Sequence, residues 1–394
     1  MKEQSLLEIA TIKSGKRLPK GHELSNIPSP YPYIKARDIK KGKVNFVGLE
    51  FVDESTRKKI AKYIVSENDI LITIVANIGD VGIVPKKLNN ANLTENAVRL
   101  TNLKLFVNAQ YLTYLLSQKE YKEYMESLAA GAAQAKLGIY KIEKIKVNLP
   151  EIAIQKRIAS ILSAYDDLIE VNNKRIELLE QSARELYKEW FVRMRFPNYQ
   201  NTKFNKGIPE GWKEKNLEEI ANIIMGQSPK SEYYNENKIG LPFHQGVGSY
   251  GKRFPIHTTF CSDIKRMAKK GDILFSVRAP VGRLNIANEN LIIGRGLAAL
   301  RHKKNLNSFL FYLLDNIFKN EDIIGNGAIF NSVTKDELGK FKTLINDDLC
   351  IFFNNITINI DKQIKVLFKQ NQELTAIRDR LLPRLISGKL EVKA

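Results

Sequence analysis

The chain has 394 residues, of which 43% are hydrophobic and 27% are charged; this composition excludes a disordered chain and predicts a globular protein with more than one domain. An excess of 62 Lys and Arg over 43 Asp and Glu gives a formal charge of +19, which favours a polyanionic partner such as a nucleic acid. Two cysteines without CxxC spacing argue against a disulfide framework, and no apolar run reaches membrane-spanning length, so we expect a cytoplasmic protein.

The chain contains the same series of segments twice, in the same order. LLEIA at position 6 returns as LEEIA at position 217, and NDILI at position 68 returns as GDILF at position 271. The loop at Gly131 matches the loop at Gly327, and the helical stretches that follow align without a gap from Asp166 and Asp361 onward. We therefore interpret the chain as a tandem duplication of one unit in which buried strands precede a long helix.

The segments between these repeated anchors differ. PYPYIKARDIKKGK in the first half has only a loose counterpart in GLPFHQGVGSYGKRF of the second half. A duplicated frame with unlike insertions suits a protein that recognises two different short sequences, which we call words. Drift after duplication is the alternative explanation.

Apolar residues recur with the 3-4 spacing of a coiled coil in both helical stretches. The two stripes predict an antiparallel pair within one molecule, with an intermolecular pair as the alternative. Asn172 and Asn371 either fix the register away from water or lie at an exposed edge of the seam. The predicted seam residues are Leu162, Tyr165, Ile169, Asn172, Ile176, Leu179 and Leu186 in the first stretch and Ile360, Ile364, Leu367, Asn371, Leu374 and Leu381 in the second.

Motifs for catalysis are absent from the sequence. It contains no GxxxxGK[ST] phosphate loop, no acid-Pro-Pro-aromatic motif of an amino-methyltransferase and no GxSxG elbow. The acidic pairs that begin at Asp166 and Asp347 are interpreted as helix caps, and His257 with Cys261 lacks a second ligand pair for a metal. We therefore predict no catalytic residue, no metal site and no cofactor bound by this chain.

Basic, amide and aromatic side chains alternate in the divergent segments, a mixture typical of phosphate anchoring beside base-edge readout. The amides suit adenine edges, the arginines suit guanine edges and the lysines suit phosphates. The alternative for each residue is an ordinary solvated turn. The predicted DNA-binding residues are Tyr33, Lys35, Arg37, Lys41, Lys43, Asn77, Gln134 and Lys136 in the first half and His244, Gln245, Lys252, Arg253, Arg278, Arg283 and Arg295 in the second.

Four motifs resemble the conserved regions of type I restriction-modification specificity subunits. They are QKRIASILSAYDD from Gln155, YKEWFV from Tyr187, GIPEGWKEKNLEEIA from Gly207 and LLPRLISGKLEV from Leu381. The resemblance covers nearly the whole chain. The second half departs from the family pattern at residues 346–350, where a Pro-rich stretch followed by Gln-Lys-Arg is expected, so we expect weaker or altered partner docking there.

The resemblance implies two tandem target-recognition domains separated by two long conserved helices. Together with the 3-4 spacing it leads us to predict an α/β (α+β) fold in which these helices form an antiparallel coiled coil. We place the recognition domains at residues 1–150 and 212–346. The first spacer helix is predicted at 151–193, a linker at 194–211, and the second spacer helix with the C-terminal tail at 347–394.

The resemblance also implies a division of labour among subunits. Each recognition domain would read one half of a bipartite site in double-stranded DNA, while the helices set the gap and dock two methyltransferase subunits. S-adenosylmethionine, ATP and Mg would be bound by those subunits and by the restriction and translocase subunits that join them. The alternatives are a non-catalytic coiled-coil scaffold or RNA-binding protein, and a single-chain modification enzyme.

Overall fold

The structure is a computed structural model that describes residues 2–130, 135–321 and 332–392. The chain divides into two compact units. Unit 1 comprises Met1–Glu170 together with Asn371–Ala394, and unit 2 comprises Val171–Gln370. This division falls within both long helices, which are Ile152–Tyr187 and Asp347–Ile386.

Unit 1 is built on a mixed sheet of six strands. In spatial order the strands are Thr11–Ser14, Ala97–Thr101, Ile70–Thr73, Val81–Ile83, Gly42–Val44 and Ile39–Lys40. A second sheet joins Glu50–Phe51, Pro32–Ile34 and Asn92–Leu93. The strand Ile70–Thr73 is buried along its whole length, as its continuous apolar sequence predicts.

Short elements of unit 1 connect its sheets to the first long helix. Lys2–Ser5 pairs with Lys146–Leu149 just before that helix begins, and Ser5 starts a short helix through a capping box with Glu8. The main helices that cover the six-stranded sheet are Ala109–Leu116 and Lys119–Ala129. Further helical turns are Leu6–Ile9, Ala36–Asp38, Glu54–Lys59, Ala61–Tyr63, Lys86–Leu88 and Ile139–Glu143.

Unit 2 repeats this plan. Its four-stranded sheet has the spatial order Ala221–Met225, Leu297–His302, Ile273–Ser276 and Leu284–Ile286. A five-stranded sheet has the order Tyr234–Asn235, Phe260–Cys261, Leu241–His244, Leu291–Ile293 and Met267–Ala268. Outside these sheets, Phe204–Asn205 pairs with Ile208–Pro209 in a hairpin.

The connecting elements of unit 2 match those of unit 1. Lys213–Asn216 pairs with Lys342–Ile345 before the second long helix, and Asn216 forms a capping box with Glu219. The helix Asn307–Glu321 takes the place of Ala109–Leu116. Shorter helical turns are Lys188–Val192, Tyr199–Asn201, Leu217–Ile220, Ser231–Tyr233, Val247–Ser249 and Lys335–Gly339.

The two long helices run antiparallel within each unit. In unit 1, Leu162 near the start of the first helix shares a hydrophobic core with Leu385 near the end of the second. In unit 2 the order is reversed, because Tyr187 at the end of the first helix contacts Phe353 near the start of the second, with ring centroids 5.7 Å apart. The antiparallel coiled coil of the predicted fold class is confirmed.

The predicted seam residues are buried or half-buried, whereas most of the helix positions between them are exposed. Ile176, Ile364 and Leu367 lie in one buried cluster of unit 2. Asn172 is buried, so an exposed seam edge does not describe this position, and Asn371 is half-buried.

The two acidic pairs have different roles. Asp347 lies in the first turn of the second long helix, where it bonds with Lys215 and Lys304, as expected for a carboxylate at a helix start. Asp166 is not a cap, because it lies well inside the first long helix and is buried. It accepts a hydrogen bond of 2.5 Å from the Tyr114 hydroxyl and another of 2.5 Å from Arg378.

Candidate nucleic-acid interface

Three turns meet at one end of the six-stranded sheet of unit 1, and we call this group the loop end. It comprises residues 15–17, 75–77 and 94–96. The Gly15 amide donates to the Ala97 carbonyl at 3.1 Å, and the Ile74 amide donates to the Asn96 carbonyl at 2.9 Å. These bonds fix the three turns beside one another and leave Lys16, Arg17 and Asn77 exposed.

The loop end of unit 2 comprises residues 226–228, 277–279 and 294–296, and its backbone repeats the same hydrogen bonds. Gly226 donates to Leu297 at 2.9 Å and Val277 donates to Gly296 at 3.0 Å. Each loop end also joins the neighbouring sheet, because Thr94 donates to Ile34 at 3.0 Å and Gly294 donates to His244 at 2.8 Å. These repeated bonds define which residues of the two units are equivalent.

Glycine is required at the first turn of each loop end. A Cβ atom on Gly15 would lie 2.0 Å from the Thr94 carbonyl oxygen, and one on Gly226 would lie 2.2 Å from the Gly294 carbonyl oxygen. Only glycine permits this close approach of two backbones. The sequence contains a signal for it, since each glycine stands five residues after the last alanine of the repeated LLEIA and LEEIA motifs.

The side chains at equivalent positions differ in charge and size. The equivalent pairs, with unit 1 named first, are Arg17 and Ser228, Lys35 and Gln245, Val75 and Arg278, Glu95 and Arg295, and Lys136 and Ser332. Because the backbone frame is shared, this difference lies in the chemistry presented to a partner and not in the shape of the frame. Arg17, Glu95 and Ser228 were not among the residues predicted from the sequence.

Ion pairs form at the loop end of unit 1 and beside the neighbouring second sheet. Arg17 lies 2.9 Å from Glu95, and both Lys35 and Arg37 pair with Glu50. Burial alone raises the pKa of Glu95, but its bonds with Arg17 and with neighbouring donors lower that pKa overall. In unit 2 the Ser228 hydroxyl donates to the Gln245 amide oxygen at 2.8 Å, while the side chains of Arg278 and Arg295 are exposed.

The remaining predicted residues are distributed over both units. Asn77 is exposed at the loop end of unit 1, Lys136 is exposed beside it through a bridge with Val75, and Gln134 lies outside the described residues. Lys41 and Lys43 lie on a different edge of the sheet, where Lys43 is 3.5 Å from Glu170 of the first long helix. In unit 2, Arg283 is exposed and lines a cavity of about 430 Å³.

Three of the predicted DNA-binding side chains are buried, and the structure corrects their role. Tyr33 donates its hydroxyl hydrogen bond to the Lys16 carbonyl at 2.8 Å, so it joins the second sheet to the loop end. His244 lies 2.9 Å from His257, and burial together with that neighbour lowers the pKa of His244 to about 4. Arg253 is only 3% exposed and bonds with carboxylates of the long helices. A side chain that is enclosed and already paired does not reach a base edge.

The family model for the type I restriction modification DNA specificity domain matches residues 1–181 and 209–345. The chain therefore belongs to this family, which confirms the resemblance. It is 32% identical over 374 residues to the putative type I restriction enzyme MjaX specificity subunit of Methanocaldococcus jannaschii, covering 92% of this chain and 88% of that protein. It is 28% identical over 399 residues to the MjaIX specificity subunit of the same organism, covering 92% and 87%.

A solved structure supports the fold. The S subunit of the type I restriction-modification system from M. genitalium matches this chain with a TM-score of 0.61 at 19% identity, over 98% of this chain and 95% of that one. The two proteins therefore share the architecture of two units and long helices.

Within the described ranges, every helix is too short or too polar to cross a membrane.

Proposed function

We propose that this chain is the DNA-reading subunit of a type I restriction-modification complex and that each unit reads one half of a bipartite site in double-stranded DNA. The observation that carries the proposal is the pair of loop ends, which share a backbone frame and differ in the exposed side chains. Base edges in the major groove are distinguished by such side chains, since Arg suits guanine and amides suit adenine.

The charge of the chain supports duplex DNA as the partner. A formal charge of +19 favours phosphate contacts that position a protein on the duplex without reading its sequence. Exposed lysines away from the loop end of unit 1, such as Lys41 and Lys43, suit this role. The long helices would set the number of base pairs between the two words.

We further propose that the chain is not catalytic by itself. Two methyltransferase subunits would dock on it and carry S-adenosylmethionine, and restriction and translocase subunits would supply the chemistry that needs ATP and Mg. These partners act on DNA inside the cell, so the chain would work in the cytoplasm. The purified chain alone is expected to methylate no DNA.

The test is to purify the full chain with its methyltransferase subunits and to map the methylated adenines on a library of duplexes. We expect two short words separated by a gap of fixed length. A variant with alanine at Arg278 and Arg295 is expected to lose selectivity in one word only, and alanine at Arg17 and Glu95 serves as the matched change for the other word.

Two results would contradict the proposal. One is methylation without two separated words. The other is preferential binding to RNA over duplex DNA in competition, which would favour the alternative of an RNA-binding scaffold.

A further inference from the structure

Residues 252–254, which lie between the strands Leu241–His244 and Phe260–Cys261 of unit 2, contact both long helices. The Lys252 ammonium lies 3.1 Å from the Glu177 carboxylate of the first helix. The ring centroids of Phe254 and of Phe368 on the second helix lie 4.9 Å apart. Phe254 also shares a buried cluster with Ile176 of the first helix. The side chains of Lys252 and Phe254 therefore hold this segment against the helix pair.

Arg253, in the middle of the segment, binds a carboxylate from each helix. Its Nη1 atom lies 3.2 Å from a Glu180 oxygen of the first helix, and its Nη2 atom pairs with Asp361 of the second. The guanidinium also lies over the Phe311 ring, 4.2 Å from its centroid. A planar cation with several fixed donors suits such a site, whereas a lysine presents one compact charge.

The acceptor of this contact is itself held in place. Asp361 accepts hydrogen bonds from the Ser308 hydroxyl at 2.6 Å and from the Tyr312 hydroxyl at 3.1 Å. Burial alone lowers the pKa of Arg253, but Tyr312, Asp361 and Glu180 raise it overall, so the arginine remains charged. Fixed partners on both sides make the geometry of the contact specific.

The equivalent place in unit 1 is occupied by a weaker contact. The Lys43 backbone is the strand partner of Ile83, the last residue of the strand Val81–Ile83. In unit 2 the Arg253 carbonyl accepts a hydrogen bond from the amide of Ile286, the last residue of the corresponding strand Leu284–Ile286. The Lys43 side chain is 47% exposed and lies 3.5 Å from Glu170. A single exposed ion pair constrains its segment little, because solvent screens it and both side chains remain mobile.

We propose that Arg253 is a positioning residue for DNA reading: it fixes the angle at which the four-stranded sheet of unit 2 stands on the helix pair, and so fixes the gap at which the second word is accepted. This inference rests on the proposed function. Arg253 touches no DNA in this role and acts through the segment that it anchors.

The test uses the full chain with its methyltransferase subunits and duplexes that carry the mapped words with the gap lengthened or shortened by one base pair. We expect Arg253→Met to retain methylation of the first word and to lose about tenfold of the preference for the natural gap. Arg253→Lys is expected to restore part of that preference, because it keeps the charge but lacks the two separate donors that reach Glu180 and Asp361.

Arg193→Met is the matched control, since Arg193 is an exposed arginine of unit 2 that pairs with Glu189 on its own helical turn. It is expected to leave the gap preference unchanged. Hydrogen exchange at the Ile286 amide, which donates to the Arg253 carbonyl, is expected to accelerate in Arg253→Met and not in Arg193→Met.

The outcomes separate the inference from the proposed function. If the wild-type complex selects two words and Arg253→Met keeps the natural gap preference, Arg253 has a structural role only, even if exchange accelerates. If the Met variant unfolds, the folded Lys variant decides, because an unchanged gap preference in it overturns the inference. If the wild-type complex selects no pair of words, the proposed function fails and the positioning role fails with it.

Discussion

Units 1 and 2 contain the same hydrogen-bonded Tyr–Asp pair, but the arginine that binds the aspartate comes from a different part of the chain in each unit. In unit 1, Tyr114 and Arg378 both bond with Asp166, and Arg378 lies on the second long helix. In unit 2, Tyr312 bonds with Asp361, and the arginine is Arg253 from the sheet region. The duplication therefore retained the acceptor while the cation was supplied independently in each unit.

This difference determines what each arginine joins. Arg378 links the second helix to the first through Asp166. In the alignment that pairs Asp166 with Asp361, the place of Arg378 is taken by the buried Ala183, which cannot supply a charge. In unit 2, Arg253 supplies the positive charge beside Asp361 and joins residues 252–254 to the helix pair. The two recognition regions are thus attached to the helices by contacts of different strength.

The largest expected effect separates the two acceptors. Asp361→Ala leaves the enclosed Arg253 charge with Glu180 as its remaining carboxylate, and breaking a buried ion pair costs up to about 3–5 kcal/mol. Asp166→Ala is expected to cost less, because the Arg378 side chain is 21% exposed whereas that of Arg253 is 2% exposed, and each arginine keeps a second carboxylate. Urea unfolding of both variants measures the difference. Equal losses in the free energy of unfolding would show that the two sites do not differ in strength.

Acid should affect unit 2 before unit 1. Burial lowers the pKa of His244 and of His302, both in unit 2, to about 4, against about 6.5 in an unfolded chain. The unfolded state then binds more protons than the folded state between pH 4 and pH 6.5. The contribution of the two neutral histidines to the free energy of unfolding is therefore fully present above pH 6.5 and falls as the pH drops toward 4. The loss is up to about 1.4 kcal/mol per pH unit for each histidine.

Replacing both histidines with glutamine is expected to flatten this dependence. Thermal unfolding of the wild type and the double variant between pH 7 and pH 4 provides the measurement. A dependence that remains equally steep in the double variant would assign the acid sensitivity to other groups.

At the loop ends the expected effects concern discrimination between bases. Arg295→Ala is expected to relax one position of one word by about 1–3 kcal/mol, the contribution of a good arginine contact with a base edge. Glu95→Ala, at the equivalent position of unit 1, is expected to alter the other word only. Competition binding with single-base variants of each word measures both. An effect of either variant on both words would contradict the assignment of one word to each unit.

The smallest effect is expected at the exposed lysines of unit 1. Replacing Lys41 and Lys43 with alanine should weaken binding to all sequences alike and reduce the slope of log affinity against log salt by about 2. Titrations at several salt concentrations measure the slope. A change in the preferred word would show instead that these lysines contact bases.

Much of the architecture could be predicted from the sequence because it depends on local patterns. The repeated motifs revealed the duplication, and the 3-4 spacing predicted the helix pair and its seam, since helical periodicity places such residues on one face. The four family motifs gave the division into two recognition regions. The predicted domain boundaries and the individual base contacts stay predictions.

The roles of single polar residues could not be predicted in this way. Arg253 stood in a Gly-rich segment that suggested DNA contact, but its partners Glu180 and Asp361 are 73 and 108 residues away along the chain. Asp166 had the sequence context of a cap and is instead a buried acceptor. Burial and pairing of a charge depend on which distant segments fold beside it, and periodicity contains no information about that.

The sequence by itself determined that this protein is a duplicated frame with two unlike surfaces joined to a pair of long helices. Only the tertiary structure decided which divergent residues face outward at the loop ends and which, like Tyr33 and Arg253, hold the frame together. The physical reason is that the same residue type serves either purpose: an exposed arginine is available to a base, whereas an enclosed arginine must be satisfied by carboxylates of its own chain.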